Sequence, residues 1–202
     1  SGNGNDATRY GSPTLTPGAL NGLPVMRYSG ANGEYHSFMN MTNIRTVFWV
    51  TKRAANNYSF ILGDNNQYHF HTNTNRFFHT NHVSLNVVNG VLAVNGTATN
   101  GQTTNVPSVM SVISLRTTGD VEASSFSSDR NIGGRYWNGD LAELMIYSTA
   151  LSDAEIAVVE GCLAWKYALQ GDLDPSHPHK AVHPGALMPA IGITSPSSVE
   201  VA

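Results

Sequence analysis

Up to residue 138 the apolar residues come in short runs, rich in Val, Ile, Phe and Tyr, with polar punctuation between them. Segments 25–28, 45–52, 58–62, 68–72, 76–79, 83–88, 91–94, 109–115 and 121–125 each read as a strand. Branched and aromatic side chains fit a pleated surface, and alternation sets one row of them against a core. Asn occurs throughout residues 3–138 and nowhere afterwards, usually beside Gly, Thr or another Asn. Because Asn tolerates left-handed backbone and bonds its own turn, this predicts many turns joining many strands, an all-β chain. Between 83–88 and 91–94, Asn89-Gly90 predicts a two-residue hairpin with positive φ at both positions.

Past Gly139 the pattern changes. A last strand, 141–147, precedes one helix, which Ser152 and Glu155 open as a capping box and Gly171 stops, giving helix 152–169. Ile156, Val159, Leu163 and Tyr167 form one apolar stripe, and Val158, Cys162, Trp165 and Leu169 a second. A narrow face of Asp153, Ala157, Glu160, Gly161 and Ala164 is left over. A helix on a sheet needs one stripe, so the second must be covered by the tail or by another polypeptide. Residues 172–202 hold five of the nine prolines and read as an extended arm or linker beyond a domain of residues 1–171. Val199 and Val201 are the arm's periodic apolar pair, and with Val158, Cys162, Trp165 and Leu169 they form the candidate interface.

Composition narrows the partners. The chain has 202 residues, only 12% of them charged, with a formal net charge of −3. Its eleven Lys and Arg are scattered, so no basic stripe exists to neutralise phosphates, and nucleic acid is an unsuitable partner. No apolar run approaches the roughly 18 residues of a membrane span, so no membrane insertion is expected. Ser1 opens the chain without an apolar leader, which reads as a mature or excised piece. The one cysteine excludes an intrachain disulfide and a Cys-based zinc cluster.

If 68–72 and 76–79 pair through Asn73-Thr74-Asn75, His69, His71, Phe77 and His79 share one face and Tyr68, Phe70 and Phe78 the other. Rings stack on sugars while imidazoles and amides bond hydroxyls, so that face suits a glycan. It also suits Zn²⁺ or Cu²⁺, and it equally suits sheet histidines without a ligand. In the loop after 58–62, Asp64, Asn65 and Asn66 offer the oxygen ligands a calcium ion takes, and also the groups of a plain Asx turn.

Two stretches carry a resemblance. Ser1-Gly2-Asn3-Gly4-Asn5-Asp6-Ala7-Thr8 with Ala19-Leu20-Asn21-Gly22-Leu23-Pro24-Val25-Met26-Arg27-Tyr28 is similar to the opening of laminin-G-like, concanavalin-A-like modules of secreted bacterial proteins. Gly139 to Tyr147, Ala150 to Glu155, Leu163-Ala164-Trp165-Lys166-Tyr167 and His177-Pro178-His179-Lys180 resemble that family's last strand, helix and exit. The resemblance implies a jelly-roll sandwich of two antiparallel sheets with calcium at the rim and a glycan or protein ligand on the concave face or loops. Family members usually carry one more strand ahead of this chain's first residues; the open edge is expected either to be filled by residues 198–201, the same segment of a neighbour or an upstream piece, or to be short and tolerated.

Glucan-cleaving enzymes of that fold carry Glu-x-Asp-x-x-Glu on one strand face. This chain has no such spacing; its nearest pair, Asp140 and Glu143, are three apart and expected on opposite faces. No Gly-x-Ser-x-Gly elbow or metalloprotease helix occurs, and Cys162 sits on an apolar stripe. The expectation is a non-catalytic glycan-binding or adhesion module, extracellular or on a cell or virion surface. The competing expectation is a structural subunit of a filament, sheath or virion, whose partners are neighbouring subunits.

Overall fold

Residues 46–51 are completely buried. In the computed structural model, which describes residues 6–186 except 32, 57, 65 and 131 together with the backbone of 197–199, they form the centre of strand β4 (Tyr35–Arg53). Val47 and Trp49 point into one core, Phe48 and Val50 into a second, as the two-residue period demands of a strand covered on both faces. The chain is all-β. Nine described strands make one antiparallel sheet: β1 (Thr8–Tyr10), β2 (Thr14–Leu20), β3 (Leu23–Ser29), β4, β5 (Val91–Val94), β6 (Thr97–Thr99), β7 (Ser111–Phe126), β8 (Asn138–Tyr147) and β9 (Ser197–Val199). Their order is β2-β3-β8-β4-β7-β5-β6, with β1 added to β4 and β9 to β8.

Strands β4 and β7 pair from His36↔Phe126 to Thr51↔Ser111, with register shifts along the way. The alternation predicts two separate strands, 109–115 and 121–125, where β7 is one. Its polar residues 117–120 bulge out opposite Arg45, because Ile44 pairs with Val121 and Thr46 with Arg116. Phe38 and Ala123 from one half of this ladder lie in the same core as Trp49 and Ile113 from the other, so the sheet bends around that core.

The predicted 83–94 hairpin does not form. Residues 85–88 are a single helical turn, α1 (Leu85–Val88), whose N-cap Ser84 accepts from the Asn86 N–H. Asn89 has φ −85°. The reason is that both edges of β5 are taken, by β7 on one side and β6 on the other. The same turn chemistry operates at two other Asn-Gly pairs: Asn95-Gly96 (φ 51° and 80°) joins β5 to β6, and Asn21-Gly22 (φ 49° and 76°) joins β2 to β3.

Asp140 and Glu143 are also a correction. The register passes from Val50↔Glu143 to Thr51↔Leu141, so Ala142 is an extra residue and the pair shares one face. Each is tied to its own cation: Asp140 accepts from Arg27 Nε (2.7 Å) and Nη2 (2.9 Å) and faces Lys52 Nζ (3.3 Å), while Glu143 Oε2 accepts from Lys166 Nζ and the Tyr167 hydroxyl, both at 2.8 Å.

Helix α2 (Asp153–Lys166) opens with the predicted capping box at Ser152. It ends three residues before 169, because Ala168 takes a left-handed φ of 57° and the Leu169 N–H returns to the Ala164 carbonyl (2.7 Å). Val159, Leu163 and Tyr167 pack on Phe48, Val50 and Val112. The second stripe lies under the chain's own residues 173–184: Val158 and Leu169 are buried, Cys162 is half-buried, and Trp165 Nε1 donates to the His179 carbonyl (2.8 Å).

Three of the five residues on the face expected to be left over, Glu160, Gly161 and Ala164, are buried as well, while Asp153 stays exposed. Ser114 on β7 donates to Glu160 Oε1 (2.6 Å), and His177 Nε2 meets Glu160 Oε2 (3.2 Å). Burial pushes the Glu160 carboxyl up, against those two partners. Gly161 is needed for close approach: a Cβ there would sit 2.5 Å from the Cβ of His179. β3 lies along β8 only at residues 138–141, and the backbone of β9 continues that edge with Leu144↔Val199 to Ile146↔Ser197. Val201 and Asn65 lie outside the described residues.

Candidate functional site

Residues 54–84 lie between β4 and α1 and form no named strand. Phe60, Ile61, Leu62, Phe70, Phe77 and Phe78 bury their side chains almost completely. The backbone is secured by single contacts: the bridges Phe60↔His71, Gly63↔Ser125 and Arg76↔Asn105, and amide bonds such as Phe78 N–H to the Gly101 carbonyl (2.9 Å). The three predicted strands here are therefore absent. The 76–78 backbone is engaged with residues 101–105, so it cannot pair with 68–72 in the expected register.

This displaces two of the four candidate ligand residues. Phe77 is a core side chain with no exposure. His69 is a structural acceptor, its Nδ1 receiving the Glu122 N–H (2.7 Å). His71 and His79 do come together, their rings 5.3 Å apart and 24° from parallel, because the His79 N–H donates to the His71 carbonyl (2.8 Å). A third imidazole, His82, lies 4.8 Å from His79 and 6.2 Å from His71.

Around this stack is a cleft of about 400 Å³ lined by Tyr58, Tyr68, His71, His79, His82, Arg130, Ile132 and Arg135. Each tyrosine ring carries a guanidinium, Arg135 over Tyr58 (5.3 Å) and Arg130 over Tyr68 (4.9 Å). The rings remain 39% and 42% exposed, which leaves apolar area for a ligand. Sequence reasoning missed Tyr58, His82, Arg130 and Arg135, and put Tyr68 on the opposite face. Two arginines within residues 130–135, in a chain with eleven Lys and Arg, were the signal available.

His71 and His79 are held neutral. Burial pushes His71 down to about 4, and Arg135, His79, Arg130 and His82 push the same way. His79 is lowered by burial, His82 and Arg135. Arg135 Nη1 lies 3.2 Å from His71 Nε2, and a guanidinium can only donate, so Nε2 accepts and the proton sits on Nδ1. His79 Nδ1 accepts from the N–H groups of Asn81 (3.0 Å) and His82 (3.2 Å), which assigns its proton to Nε2.

Behind Arg130 sit two buried carboxylates. Asp129 Oδ2 accepts from Arg130 Nε (2.9 Å), and Asp64 Oδ1 caps the N–H groups of Asn66 and Gln67, both at 2.5 Å. Burial holds Asp129 above the usual carboxylate range despite Arg130. These bonds are an Asx turn and an ion pair. They leave Asp64 Oδ2 as the one carboxylate oxygen of the pair without a hydrogen bond, and among the described residues no three His, Cys, Asp or Glu are placed to hold a metal.

Family models, curated proteins and solved structures give no significant match to this chain.

Proposed function

We propose that this chain is a non-catalytic glycan-binding or adhesion module, acting outside the cell or on a cell or virion surface, on a jelly-roll framework of the laminin-G-like kind. The observation that supports the reading is the cleft, where two half-exposed tyrosine faces stand beside three imidazoles and two guanidiniums. Tyrosine faces stack on the apolar sides of pyranose rings, and imidazole and guanidinium N–H groups bond hydroxyls without any change of charge. Titration calorimetry against a panel of neutral and acidic polysaccharides tests it, with the double variant Tyr58→Ala, Tyr68→Ala as the contrast. Neither ring belongs to a hydrophobic core, so the variant should keep its unfolding midpoint and lose at least about tenfold in affinity, roughly 1.4 kcal/mol. A panel with no binder, or a variant that binds as well as the parent, overturns the proposal.

One observation favours the second reading, an assembly subunit: the short strand β9 occupies an edge of β8 that a neighbour's copy would fit equally. Removing residues 189–202 decides between them by mass in solution. A monomer indifferent to truncation supports the glycan module, and a polymer that dissociates supports the subunit.

A further inference from the structure

We infer that the sugar taken by this cleft carries an acidic group, a carboxylate or a sulfate, and that Arg135 is the residue that receives it. The inference rests on the glycan reading above and names the chemical class of its ligand. Among the described residues two guanidiniums line the cleft and no carboxylate does. The two arginines differ. Arg130 is balanced from behind by Asp129, with Asp64 next to it, since the Asp64 N–H reaches Asp129 Oδ1 (3.3 Å). Arg135 meets the Tyr58 ring and the neutral His71 imidazole, and among the described residues it has no carboxylate partner.

A cation in a partly enclosed cleft, flanked by an aromatic face and a neutral ring, is poorly compensated, and an arriving anion removes that cost where a hydroxyl does not. The guanidinium is planar and presents paired N–H donors, a geometry that matches the two oxygens of a carboxylate or sulfate. One of its nitrogens is held by His71 and its Cζ lies 5.3 Å from the Tyr58 ring centroid, so the group is positioned before the ligand arrives.

The test compares ligands that differ only in the acid group. Trigalacturonate and its methyl ester share every ring and hydroxyl, and dextran sulfate and dextran supply the corresponding sulfate pair. Calorimetry should find at least one acid form bound about tenfold more tightly than its neutral counterpart, with the preference shrinking as salt is raised. Arg135→Gln should erase that preference by weakening the acid form far more than the neutral one, while an unfolding midpoint equal to the parent's shows that the variant is folded. Whichever pair shows the larger difference names carboxylate or sulfate as the group. Equal binding of acid and neutral forms by the parent chain overturns the inference and leaves the glycan reading standing. Binding of neither member of either pair removes both. An acid preference that survives Arg135→Gln removes the assignment to Arg135.

Discussion

Strand β4 and the segment 54–84 both bury large aromatic side chains completely, Phe48 and Trp49 in the first and Phe60, Phe77 and Phe78 in the second. From Thr46 to Thr51, β4 is paired residue by residue with both β7 and β8, so side chains there are committed to alternate faces. In 54–84 the burial is similar but the backbone is held by isolated bridges and turns. The difference teaches where a site can form. A ladder spreads polar side chains at fixed two-residue spacing, whereas a chain freed from it can fold His71, His79 and His82 against one another and against arginines from another loop.

If burial is the common support of both regions, Phe77→Ala should destabilise the protein by about 3–5 kcal/mol, as a ladder aromatic would. Urea unfolding checks it; a small loss accompanied by lost glycan binding would return Phe77 to the cleft and break the comparison. On the ladder side, Glu160→Ala strands the buried Ser114 hydroxyl and His177 imidazole and should cost about 3 kcal/mol. Residues 173–184 should then become open to limited proteolysis, and resistance would show that the tail is held by other contacts.

The irregular region should also respond to pH. Since folding depresses His71 to about 4 from an ordinary 6.5, the unfolded chain binds more protons between those values, and stability present above 6.5 is lost as pH falls towards 4. His71→Gln should flatten this part of the stability curve by about 1 kcal/mol, allowing for water that reaches the cleft. His36, held near 4 by burial, keeps a parallel slope in both proteins, and identical curves would sink the attribution to His71. The smallest effect lies at the end of α2. Ala168 holds a left-handed φ of 57°, so Ala168→Gly should raise the unfolding midpoint by the equivalent of about 0.5–1 kcal/mol.

Much of the ladder was legible. Alternation at 45–52 and 141–147 located the centres of β4 and β8, and Ser152 with Glu155 fixed the start of α2. Bulges were not legible, since the extra residue at Ala142 is visible only in the partner's register. Of the site, the pairing of His71 with His79 was reached through a hairpin that does not exist. Their contact comes instead from one amide bond and from the engagement of 76–78 with 101–105.

By itself the amino-acid sequence determined the class of the fold, the location of its helix and the chemistry of its turns, because side-chain period, capping and left-handed backbone are local properties. Which Asn-Gly pair makes a hairpin, which polar face is buried and which side chains line the cleft were decided only in three dimensions. Each depends on whether a distant strand or loop has already taken the hydrogen bonds or the space, as β7 and β6 have taken the edges of β5 and His179 the hollow beside Gly161.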